Sequence, residues 1–127
     1  MSETQTEPVI ILLSGDLMFG SKVTAAAKMA GWRVVLGGNI PPEDSPKLTD
    51  DSAVRVVVVD LSTRSKIVGS IRGDVQNRFP TAKLVAFGPH VAADRLNAAR
   101  NAGFDQVLTN NQFSSGLLGL LEQWGAN

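Results

Sequence analysis

The segment Val54-Arg55-Val56-Val57-Val58-Val59-Asp60-Leu61 constrains the fold more than any other part of the chain. A β-strand sends alternate side chains to opposite faces, so a run that is apolar at successive positions leaves no face for water. Such a strand belongs inside a parallel sheet covered on both sides, and β-branched valine suits it. Parallel neighbours cannot be joined by tight hairpins, so crossover segments, usually helices, must lie between them.

The flanking sequence supplies these pieces. After Pro8, Val9 to Leu13 reads as a first buried strand that ends at Ser14-Gly15-Asp16. From about Gly20 to Ala30, Val23, Ala26, Ala27 and Ala30 follow helical spacing, and Gly31 closes the helix. Trp32 to Leu36 reads as a second strand stopped by Gly37-Gly38. Residues 39–52 hold three of the six prolines and almost no apolar stripe, which predicts a loop with at most a broken turn of helix. Ser62 or Thr63 caps a helix running to about Arg78, with Ile67, Val68, Ile71 and Val75 on its apolar stripe. Lys83 to Phe87 is a fourth strand, Gly88-Pro89-His90 a turn, Val91 to Ala102 a helix closed by Gly103, and Gln106 to Thr109 a fifth strand. A last helix near Gln112 to Trp124 carries Phe113, Leu117, Leu120 and Trp124.

Five strands alternating with helices predict an α/β fold: a three-layer, doubly wound, five-stranded parallel sheet of flavodoxin-like order 2-1-3-4-5 with an irregular second helix. Residues 9–127 are expected to form a single domain, and the polar residues 1–8 a disordered tail. Twelve basic and twelve acidic residues give a net charge of +0, without the basic surplus that phosphate backbones select, so no nucleic-acid partner is expected. The chain has no cysteine, which excludes disulfides, thiolate metal sites and cysteine nucleophiles. No apolar run approaches the roughly 20 residues that span a bilayer. No membrane association is expected, and the cytoplasm is the expected compartment.

In a sheet of this order, ligand chemistry gathers at the carboxyl ends of the strands. The residues placed there are Ser14-Gly15-Asp16, Asp60 to Thr63, Gly88-Pro89-His90 and Asn110-Asn111. With VVVVDL ending in Asp60, and AARNAGFDQVLTNNQF running through the fifth strand, the chain resembles the receiver domains of response regulators. The resemblance makes Asp60 the phosphoacceptor candidate and implies a signalling role of the two-component type. Mg²⁺ is the one cofactor it suggests, on Asp16 and Asp60. The family's pair of acids after the first strand is matched by Ser14 and Gly15, its switch hydroxyl by Gly88, and its lysine by Asn110. Phosphoryl transfer to a carboxylate depends on the charge neutralisation that those groups supply.

The resemblance therefore implies a degenerate, pseudo-receiver module: a stand-alone regulatory protein that docks to a partner, is not an enzyme, and has lost normal aspartyl phosphorylation. The alternatives are an unconventional active receiver phosphorylated on Asp60, and a nucleotide-, flavin- or cobalamin-type binding domain using the strand carboxyl edge. Ser14, Thr63, Arg64 and His90 are further pocket candidates. Receivers use the face around their fourth and fifth helices for partners. The expected interaction surface, for a protein partner or a homodimer, is thus Phe113, Leu117, Leu120 and Trp124.

Overall fold

The computed structural model of the chain describes residues 7–126. The apolar runs fold as expected into five strands: β1 (Val9–Leu13), β2 (Arg33–Gly37), β3 (Val54–Asp60), β4 (Lys83–Gly88) and β5 (Gln106–Thr109). They form one parallel sheet in the order β2-β1-β3-β4-β5. Two cores flank it, because alternate residues of the central strands point opposite ways. Ile11, Leu13, Val57 and Val59 face one core, and Ile10, Leu12, Val56 and Val58 face the other.

Five helices cover the two faces: α1 (Leu17–Ala30), α2 (Ile71–Arg78), α3 (Ala93–Asn101), α4 (Asn110–Ser115) and α5 (Leu117–Gly125). Val23 and Ala27 of α1 share a core with Phe113 of α4 and with Leu117, Leu121 and Trp124 of α5. Ile71 and Val75 of α2 pack with Leu96 and Ala99 of α3 on the opposite face. The expected tail falls mainly on residues 1–6, which lie outside the described residues. Pro8 is tied to the sheet, its carbonyl accepting from the Arg33 amide at 2.9 Å.

No helix forms between β2 and β3 beyond a short 3-10 turn at Asp51–Ala53. A helix there would cover apolar side chains of the sheet. Instead Leu48, 2% exposed, enters that core with the partly buried Ile40 packed against it. Arg78, at the end of α2, fastens the loop from below. Its guanidinium donates to the carbonyls of Pro41 and Pro42, and its Nε lies 2.9 Å from Asp51 Oδ2.

Several helix limits depart from the sequence expectation, each for a local reason. Helix α1 starts at Leu17 and not near Gly20, because Asp16 Oδ1 accepts from the amides of Met18 and Phe19. The helix expected from Ser62 or Thr63 to Arg78 is interrupted: a 3-10 turn at Ser65–Ile67 precedes α2, and the Ser70 amide bonds Ile67 across the break. The final helix begins at Asn110, capped by a reciprocal Thr109–Gln112 box, and is divided at Gly116.

The expected interaction surface is corrected. Phe113, Leu117 and Trp124 are 0%, 5% and 2% exposed, and Leu120 packs partly buried against the same core. Phe113 stacks on Phe87 at 4.2 Å with the rings 7° apart, and Phe87 also meets Phe19 at 4.7 Å. Trp124 satisfies its buried indole N–H on Gln106 Oε1 at 3.0 Å. The apolar side chains that do reach solvent include Leu17, Met18, Met29, Leu36, Val91 and Leu118.

Urea denaturation should separate these two sets. Phe113→Ala is expected to lower the unfolding free energy by about 3–5 kcal/mol, the usual loss for a buried aromatic. Leu118→Ala, at a half-exposed position, should lose about 1 kcal/mol or less. A Phe113→Ala protein as stable as wild type would contradict the placement of that ring in the core.

Candidate functional site

Register brings the expected edge residues together. Leu13 aligns with Gly37 and Val59, Asp60 with Phe87, and Gly88 with Thr109, so the segments that follow these residues leave the sheet at one end. Asp60 stands at the centre of that end and is only 1% exposed. A carboxylate removed from water must be hydrogen-bonded, or its burial costs several kcal/mol.

Each Asp60 oxygen is bonded. Oδ2 accepts from Ser14 Oγ at 2.7 Å and from Thr63 Oγ1 at 3.0 Å, and Oδ1 accepts from the Ser62 amide at 3.0 Å. The same hydroxyls then hold the loop after β1. Thr63 Oγ1 accepts from the Gly15 amide at 2.9 Å, and Ser14 Oγ accepts from the Asp16 amide at 3.0 Å. The Asp60 carbonyl takes the Thr63 and Arg64 amides. Asp60 thus joins β1 to the turn after β3, while neither Ser62 nor Thr63 caps a helix: the elements that follow have Arg64 and Ser70 at their N-cap positions, without a side-chain cap bond.

Of the other expected site residues, Ser14 and Thr63 belong to this cluster. Asp16 does not share it as a second acid, because one of its oxygens is turned to the amides of α1. Mg²⁺ takes several oxygen ligands in near-octahedral geometry. Among the described residues, no three His, Cys, Asp or Glu side chains come together as a metal site. An ion on Asp16 and Asp60 would meet one Asp16 oxygen held by α1 and both Asp60 oxygens already hydrogen-bonded. His90 is exposed in the turn after β4 and takes no part in the hydrogen bonds around Asp60.

Gly88 is buried for a steric reason. A Cβ there would lie 3.2 Å from the Leu61 Cβ, so a switch hydroxyl at this position would press on Leu61. Leu61 is fully buried, and its amide bonds the Phe87 carbonyl at 2.9 Å. Asn110 opens α4, with its Oδ1 buried and without a hydrogen-bond partner among the described residues. Leu61 and Gly38, which the sequence reading places at this edge without a role, both act sterically. Gly38 leaves room for Arg64: a Cβ on Gly38 would stand 2.9 Å from Arg64 Nη2.

A doubly wound sheet of order 2-1-3-4-5 with an acid buried at the end of its central strand is a flavodoxin-like arrangement. No family model matches the chain, and no curated protein matches it. Solved structures do. A CheY-like protein (tadZ) from Pseudomonas aeruginosa is 23% identical, with 96% of each chain covered and a TM-score of 0.72. A response regulator from Thermotoga maritima is 15% identical over 94% of this chain and 98% of its own, with a TM-score of 0.67. A putative pilus assembly protein (cpaE) from Burkholderia thailandensis is 16% identical over 94% of this chain and 99% of its own, with a TM-score of 0.65. The chain has the CheY-like receiver fold.

The hydrogen bonds make Asp60 a structural anchor, with a measurable consequence. Asp60→Ala strips the acceptor from two hydroxyls and a backbone amide and is expected to cost about 1–3 kcal/mol in urea denaturation. Asp16→Ala, which removes a helix cap, should cost about 1 kcal/mol. An Asp60→Ala protein no less stable than wild type would show that the carboxylate does not anchor this edge.

Proposed function

We propose that the chain is a receiver-fold regulatory interaction module that docks to a protein partner without turnover, and that its aspartate does not serve as a phosphoryl acceptor. The observation that carries this reading is the engagement of Asp60. Both oxygens are held by Ser14, Ser62 and Thr63, and Asp60 itself is 1% exposed. An attacking carboxylate must meet the phosphorus in line, while cations neutralise the equatorial oxygens. Here Oδ2 is turned to two hydroxyls, and the positions matched to the family's metal acids, hydroxyl and lysine are Ser14, Gly15, Gly88 and Asn110.

The fold itself supports a docking role, since a receiver sheet without its phosphoryl pocket still offers a rigid surface to a partner. The similarity to a pilus assembly protein supports a setting within a multiprotein assembly. No helix among the described residues is long and apolar enough to cross a membrane, in keeping with a module working in the cytoplasm.

The test is incubation with acetyl phosphate and Mg²⁺, read by intact-protein mass, with Asp60→Asn as the control. The expected result is no phosphoryl adduct on either protein. Saturable incorporation into wild type, abolished by Asp60→Asn, would overturn the proposal and make Asp60 the acceptor of an unconventional active receiver.

A further inference from the structure

A cavity of about 530 Å³ opens at the same sheet edge, between Gly38-Asn39 after β2 and residues 62–67 after β3. Two cations, Arg64 and Lys66, line it, together with the hydroxyl residues Ser62, Thr63 and Ser65, and no carboxylate does. Thr63 turns its hydroxyl to Asp60, which leaves Ser62 and Ser65 to face a ligand.

Arg64 is held in an unfinished position. One of its five N–H groups, on Nη1, donates to the Thr63 carbonyl at 3.2 Å. Its Nε is shut off from solvent without a hydrogen-bond partner among the described residues. The guanidinium lies against Gly38, where an added Cβ would sit 2.9 Å from Nη2 and 3.2 Å from both Cζ and Nε. A buried donor left unpaired is destabilising, and an oxyanion that draws the guanidinium forward into the cavity removes that defect. Two cations without a neighbouring acid in the lining match a dianion better than a single carboxylate, and a phosphate group carries close to two charges at neutral pH.

We propose that this cavity binds the phosphate group of a small ligand, with Arg64 as the bidentate donor, Lys66 as the second charge and the Ser62 and Ser65 hydroxyls completing the shell. The absent side chain at Gly38 is what lets Arg64 rest beside the cavity. This site does not use the Asp60 carboxylate and stands apart from the question of phosphorylation there.

The experiment is titration of the full chain with inorganic phosphate at constant ionic strength, followed by backbone amide NMR, with sodium acetate as the monovalent carboxylate control. Saturable shifts are expected at Gly38, Asn39 and residues 62–67, with weaker or no shifts from acetate. Arg64→Gln should weaken phosphate binding by about tenfold or more, the usual loss for a charge-assisted hydrogen bond. Asp60→Asn should retain binding. Absence of saturable shifts, or shifts that persist unchanged in Arg64→Gln, would overturn the proposal. Shifts centred on Ser14 and Asp60 that are kept in Arg64→Gln would also overturn it, by placing the anion outside this cavity.

Discussion

A carboxylate at 1% exposure makes a demand that organises the whole carboxyl edge of this sheet. Asp60 ends a strand buried on both faces, so its side chain emerges where solvent barely reaches, and unpaired ionised oxygen is costly there. Ser14 and Thr63 answer that demand from two different loops, and each passes a second hydrogen bond to the backbone after β1. The start of α1 and the turn after β3 are thereby fixed relative to one another. The acid that ends the central strand thereby joins two loops.

The strands were legible because a run such as Val56 to Val59 permits few alternatives: it is apolar at every position and must be covered twice. The helix limits were harder to read. Leu17 and Met18 begin α1 while exposed to solvent, so the amphipathic period that marks a helix is absent from its first turn. Asp16 before them was the remaining signal. At the other end of the chain, Thr109 and Gln112 carry a capping-box spacing that places the start of α4 two residues earlier than the apolar pattern does. The break before α2 falls at Val68 to Ser70, where Gly69-Ser70 interrupts the stripe in the middle of its apolar spacing.

The site was legible by element and not by contact. The pattern placed Ser14, Asp60 and Thr63 at one edge, yet it could not reveal that both hydroxyls point to one carboxylate oxygen. It also misjudged the last helix. A leucine-rich stripe with Phe113 and Trp124 reads equally as core or as docking surface. The decision rests on Phe87 in β4, whose ring lies 4.2 Å from Phe113 and draws α4 inward. Only tertiary placement distinguishes a stripe that meets such a partner from one that does not.

The region between β2 and β3 shows how the loss of a helix is made good, and why that bears on ligands. Leu48 and Ile40 replace the missing apolar stripe, and Arg78 grips the carbonyls of Pro41 and Pro42 from α2. A loop secured at its middle keeps a defined course on leaving β2, so Gly38 and Asn39 present a fixed wall to the turn after β3. Receiver-type chemistry would concentrate charge around Asp60. This chain instead surrounds its acid with neutral donors and places Arg64 and Lys66 farther along the same turn, in a cavity with no acidic lining. Separating the buried negative charge from the positive cluster is what allows a single sheet edge to keep an internal anchor and still offer a site for an external anion.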